Sequence, residues 1–220
     1  MTAVPDASPA EATESLRAEY GRQAAGLVRD LEAVGVAVDR LRDLRRRGVD
    51  GAAAKPVLLR WLPHVSFAPL KIDVVFALGA QWARPEAAPA VIAELATIRD
   101  EPGEAAHRVR AAICTTLERV ADDDTLDDVI AIVHDRQLGM SRGMAVVAIG
   151  NARRRREHAH AVLHQILHDE PTLELVALLG LSKLGDRSSR PAFVARLDHP
   201  DQRIRRLAIG QVARWSDDLR

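Results

Sequence analysis

One pattern, returning five times, restricts this chain to a narrow set of folds. A helix-starting residue is followed by apolar residues two, three and six positions later. It reads PVLLRWL from Pro56, PAVIAEL from Pro89, DDVIAIV from Asp127, HAVLHQI from His160 and PAFVARL from Pro191. The starts lie 33, 38, 33 and 31 residues apart. A period of this size, made of helical units, marks an array of helical hairpins. Three of the five starts are proline, which suits a first helical turn because its missing N–H has no intrahelical partner there. The spacing puts one apolar stripe on each helix. It predicts that Leu59, Ile92, Ile130, Leu163 and Val194, three residues after each start, are buried.

Between these second helices lie first helices: LKIDVVFALGAQWA, HRVRAAICTTLERVA, SRGMAVVAIGNARR, TLELVALLGLSKLG and QRIRRLAIGQVARW. Each is apolar on more than one side, as expected of a helix covered by several neighbours. Turn-forming stretches such as DEPGEA, ADDDT, LGDRSS and DHPDQ separate the elements. Upstream, residues 1–12 are rich in Pro, Ala and Ser and read as a disordered tail. Leu16, Tyr20, Ala24, Leu27 and Leu31 then share one helix face, with Thr13 or Ser15 placed to cap it. A turn at Gly35 and a helix from Asp39 to Arg47, ended by Gly48, complete a capping region over 13–50. The repeats fill 51–220. The fold class is therefore all-α, an α-α superhelix.

Composition supports close helix packing. Hydrophobic residues make up 47% and aromatics 3%, so Ala, Leu, Val and Ile must build the core. Lys plus Arg and Asp plus Glu both number 31, which removes any global pull toward nucleic acid or anionic membrane. A single cysteine, Cys114, excludes an intramolecular disulfide framework and fits a reducing, cytoplasmic setting. Met1 to Ala10 has neither the basic nor the apolar region of a signal peptide. No apolar run approaches the ~18 residues of a transmembrane helix.

The segment LDHPDQRIRRLAIGQVARW resembles the HEAT repeat, in which an Asp-Pro turn leads into V-R-x-x-A; the matching residues are Asp198, Pro200, Ile204, Arg205 and Ala208. The run RVRAA around Val109 and Arg110 is similar, and LGLSKLGDRSSRPAFVARL resembles the LGxLGD…P…L hairpin of that family. The likeness covers residues 53–220. It is weakest in the unit from Ser141, which lacks both the proline and the V-R pair. The whole chain resembles an actinobacterial-type HEAT-repeat protein. That resemblance implies a stacked solenoid whose second helices line a concave face, and a binding role rather than a reaction.

Candidate contact residues on the second helices are Arg60, Trp61, Glu94, His164, His168 and Arg196. His160, His164 and His168 recur every four residues, with His158 beside them, and Asp135 and His199 sit at nearby ends of other units. Two such imidazoles on one helix face suit a metal, but no cysteine completes a site, so no metal is expected. The basic runs Arg40 to Arg47 and Arg153 to Arg156 suit phosphate, and the second run reads as an exposed helix end and loop. Trp61, Trp82 and Trp215 read as gap fillers between layers, and Cys114 as a core residue. The carboxylates of ADDDTLDD, Asp122 to Asp128, suit a helix N-terminus. A Gly-rich phosphate loop, a nucleophile elbow and a zinc-protease pattern are all missing, so neither a catalytic residue nor a cofactor is expected. The expected function is a non-catalytic scaffold for a protein partner. A nucleic-acid-binding or repair protein using the Arg clusters is the alternative. A lyase-type enzyme accessory, a role found among proteins with this repeat, is a third.

Overall fold

A computed structural model describes residues 9–38, 40–45 and 51–217. Every regular element among them is helical. The α-helices are α1 Pro9–Ala33, α2 Ala54–Trp61, α3 Ala68–Ala77, α4 Ala87–Ile98, α5 Glu104–Val120, α6 Leu126–His134, α7 Gly143–Ile149, α8 Arg156–Asp169, α9 Glu174–Leu184, α10 Arg190–Val194 and α11 Gln202–Asp217. Short 3-10 helices, including Leu41–Arg45, Arg136–Arg142 and Arg187–Ser189, join them. None of the described helices is long and apolar enough to cross a membrane. The chain forms two compact units, Met1–Ala83 and Arg84–Arg220; the boundary read at 50/51 falls inside the first.

In the first unit, α1 packs on α2 and α3. Ala24, Leu27 and Leu31 are buried as the helix face predicts, but Leu16 is exposed. Helix α1 starts at Pro9, so Thr13 and Ser15 lie inside it rather than at its cap. Residues 9–12 of the expected tail are helical and residues 1–8 lie outside the described residues, as do Asp39, Arg46, Arg47 and Gly48 of the expected second helix and its cap. The expected second capping helix is a 3-10 turn, Leu41–Arg45.

In the second unit, α5, α7, α9 and α11 form a row, each packed on the next. Helices α4, α6, α8 and α10 lie beside that row, each most extensively against the row member that follows it in sequence. Each of these second helices thus packs chiefly on the first helix of the next unit. The five second helices start at residues 54, 87, 126, 156 and 190, within four residues of the sequence pattern. Their buried stripe is centred one position earlier than expected. Leu58, Val91, Val129, Val162 and Phe193, two residues after each start, are all buried. Of the residues at the third position only Leu163 is fully buried; Leu59, Ile92 and Ile130 are half-buried and Val194 is 40% exposed.

The arginines of the V-R pairs close the turns. Arg110 Nη1 donates to the carbonyls of Ile98 at 3.0 Å and Glu101 at 2.7 Å, just past the end of α4. Arg205 Nη1 donates to the carbonyl of His199 at 2.5 Å. Helix-end carbonyls lack intrahelical donors, so this contact supplies them. The unit from Ser141 lacks the motif, and there Arg142 Nη1 reaches the carbonyl of Val133 at 2.5 Å. Its buried guanidinium also forms an ion pair with Glu170. Helix α9 ends at Gly185, whose φ of 70° is the left-handed conformation glycine adopts most easily. Helices α7 and α9 meet at glycines: a Cβ on Gly150 would stand 2.4 Å from the carbonyl oxygen of Gly180.

Candidate functional site

The one-residue shift of the buried stripe decides which side chains face solvent. Glu94, expected at the surface, is 4% exposed, because Val91, Glu94, Leu95 and Ile98 form the buried face of α4. The residues turned toward solvent beside that stripe are Ile92, Ala96 and Arg99. The corresponding residues at α6 are Asp128, Ala131 and the half-buried Asp135 just past its end, with the buried Ile132 between them. Each set follows i, i+3, i+4, i+7 spacing, with Leu95 completing the first, so each lies along one helix side.

These two sides enclose a groove of about 270 Å³, with Leu138 also lining it. Its walls are aliphatic, and two facing alanines, Ala96 and Ala131, leave the space. Arg99 Nε meets Asp135 Oδ2 at 2.6 Å at one end. Asp135 is held from a second side by the N–H of Gln137, 3.1 Å away. The other end is bordered by Ile92 and by Asp128 in the first turn of α6. From Asp128 to Asp135 the helix rises about 10 Å, which sets the length of the groove.

The remaining candidates fall elsewhere. In the first unit Trp61 packs its indole against Gly26, where a Cβ would stand 2.7 Å from the ring, and donates Nε1–H to Asp30 at 2.8 Å. Arg60 pairs with the same carboxylate at 2.9 Å. Trp82 donates Nε1–H to the Leu44 carbonyl at 3.1 Å, and Arg45 lies over the Phe76 ring, 5.1 Å from its centroid. In the second unit Trp215 is buried edge-on against Phe193 at 5.3 Å.

The histidines do not converge. The rings of His160 and His164 lie 4.3 Å apart, but His160 is engaged by Ser188 at 3.0 Å and His168 by Asp169 at 2.7 Å. Asp135 is committed to Arg99, and His199 faces Glu174 at 3.3 Å. Arg196 also pairs with Glu174, at 2.7 Å. No group of three or more His, Cys, Asp or Glu side chains is placed to hold a metal among the described residues. Burial lowers the His164 pKa, the neighbouring His160 and Arg196 lower it further, and Asp186 works against them. Its Nε2 is buried without a hydrogen-bond partner. Cys114 is buried, and burial pushes its thiol up to about 12, far from the thiolate that a nucleophile requires.

The acidic loop pairs with two side chains of the second basic run, those of Arg154 and Arg155. Arg153 to Arg155 form the loop before α8, and Arg156 opens the helix. The N–H groups of Arg153, Arg154 and Arg155 all donate to Asp123, at 3.0, 3.0 and 2.9 Å. The Arg154 side chain pairs with Asp124 at 2.5 Å, and Arg155 grips Asp127 with two bonds of 2.7 Å. Arg156 donates to the Leu184 carbonyl at 2.7 Å. Burial works to raise the Asp123 carboxyl. The three N–H donors and the Arg154 charge outweigh it and hold the group below the ordinary value.

No family model, no curated protein and no solved structure matches this chain.

Proposed function

We propose that this chain is a HEAT-like helical-hairpin scaffold that holds a protein partner through its second helices, without catalysing a reaction. The groove between α4 and α6 carries the reading. It is an open aliphatic slot flanked by charged residues, the arrangement of a protein-binding anchor pocket. At about 270 Å³ it lies at the lower edge of the ~300–1,000 Å³ typical of cofactor and small-molecule sites. Its size suits inserted side chains better than a whole ligand. The HEAT-like motif arginines and the row of α5, α7, α9 and α11 support a stacked array, which offers such slots between successive units.

The nucleic-acid alternative loses its main support in the pairing of Arg154 with Asp124 and of Arg155 with Asp127. Phosphate would have to displace both carboxylates. A photo-crosslinking residue placed at Ala131 tests the reading in the native cell, with the same residue at Ala213 as control. Protein adducts at Ala131 and none at Ala213 are expected. Duplex DNA is expected to bind only at the non-specific level of ~10⁻⁴ to 10⁻⁶ M at physiological salt. Sub-micromolar DNA binding, lost when Arg153, Arg154 and Arg155 become Ala, would overturn the scaffold.

A further inference from the structure

We propose that the α4–α6 groove receives a peptide segment of the partner that carries an aliphatic side chain close to a lysine or arginine. The inference rests on the scaffold reading and adds the chemistry of what is bound. The walls contributed by Ile92, Leu95, Ala131 and Ile132 are aliphatic. They offer dispersion contact and apolar burial, and no hydrogen-bonding group to a polar side chain. An aliphatic group is therefore what the slot selects.

The charge follows from the pairing on the rim. The lining holds one arginine and two aspartates. Arg99 and Asp135 neutralise each other. Asp127, the neighbour of Asp128, is already taken by Arg155. Asp128 is thus the lining carboxylate that no cation neutralises among the described residues. It stands exposed at the Ile92 end of the groove, so a cation can reach it without being buried. An acidic residue there would meet an uncompensated negative charge, which sets the sign of the partner. A chain laid along the ~10 Å slot spans it with about three extended residues, whose alternate side chains face the same way. One of those side chains fills the gap at Ala96 and Ala131, and the other reaches Asp128.

Panning the full chain against a display library of random seven-residue peptides tests this, with the Ala131→Trp variant as counter-selection. Both Ala131 and Asp128 are exposed, so neither substitution enters the core; thermal melts of the variants check that they fold. Recovered peptides are expected to combine Leu, Ile, Val or Met with Lys or Arg. Asp128→Lys should weaken a representative peptide by at least about tenfold. Changing that peptide's basic residue to Glu should restore binding to Asp128→Lys, a rescue that a merely structural role for Asp128 does not give. Asp128→Asn, which disturbs the start of α6 less, should show an intermediate loss. Peptides that need an open groove but lack a basic residue, or that are indifferent to Asp128→Lys, would overturn the inference and leave the scaffold standing. Peptides that bind Ala131→Trp as well as the parent, or no enrichment at all, would overturn both.

Discussion

The tripeptide Ala-Ile-Gly occurs twice, at the C-terminal end of α7 and midway along α11, and its two copies live in opposite surroundings. In α7, Ala148 and Ile149 are buried, and Gly150 lies so close to α9 that a Cβ would meet the Gly180 carbonyl oxygen at 2.4 Å. In α11, Ala208 is buried but Ile209 is 52% exposed, and a Cβ on Gly210 would meet nothing within 4 Å. The residues are the same, but α9 covers the first copy and nothing comparable covers the second. A first helix thus carries the apolar and small residues that accept a neighbour on its far side, and whether that side is core or surface depends on what packs there. The groove follows the same logic, since Ala96 and Ala131 are small residues that nothing covers.

The largest expected effect separates the two isoleucines. Ile149→Ala should cost about 2–5 kcal/mol, the range for a fully buried branched side chain in a packed core. Ile209→Ala should change stability by less than about 0.5 kcal/mol, the level of a surface substitution. Urea melts of the two variants measure the contrast. Equal costs would break the comparison, by showing that Ile209 is covered in solution.

The glycines sharpen it with opposite signs. Gly150→Ala forces a methyl into a backbone oxygen and should destabilise by about 1–3 kcal/mol, as overpacking does. A nearby Lys183 Cβ, 3.0 Å from the same point, leaves no side exit. Gly210→Ala adds a methyl to open space inside a helix and should stabilise by about 0.5–1 kcal/mol, because alanine loses less backbone entropy than glycine there. A stabilising Gly150→Ala would mean that α7 and α9 are further apart than described.

These contrasts show where sequence reasoning succeeds. The starts of four second helices were legible to within two residues because Pro or Asp stands in the first turn ahead of an apolar run, whereas α8 starts four residues before His160. The register was not. In PVLL, PAVI, DDVI, HAVL and PAFV both the second and third residues after the start are apolar, so periodicity alone does not choose between them. Packing chooses: Val91, Val129, Val162 and Phe193 are buried on helices that lie against the row of first helices, and Leu58 is buried on α2, which packs on α1. That choice buried Glu94 and freed Ile92. The groove was illegible for a related reason. Composition assigns alanine to the core as a residue type, and the meaning of Ala96 and Ala131 depends on the spacing between two helices. The Arg153 to Arg156 run stood out in composition. The pairing of Arg154 and Arg155 did not, because Asp123, Asp124 and Asp127 sit about thirty residues upstream and are brought in only by the folding of the chain.

The smallest expected effect extends the comparison from apolar to ionisable groups. A proton costs little at an open surface and more under cover. His164 is partly covered, its Nε2 has no partner, and its pKa is lowered from 6.5 by burial first and then by His160 and Arg196. The groups facing it are His160 on its own helix, Arg196 just past α10 and Asp186 ahead of the Arg187–Ser189 turn. Asp186 alone favours the proton, and it is already committed to the N–H of Ser188 at 2.9 Å. The folded pKa is thus below the unfolded one. Between the two values the unfolded chain binds more protons, so stability rises with pH. The stabilising contribution is present above the unfolded pKa of 6.5 and is lost as pH falls through the folded value. Thermal melts from pH ~7.5 down to ~5.5 should show a modest loss, ahead of the range in which carboxylates take up protons. His164→Gln cannot titrate and should remove that part of the slope while leaving the acid limb unchanged. If the variant and the parent fall in parallel, His164 is not under cover, and the boundary between closed and open surface on α8 lies elsewhere.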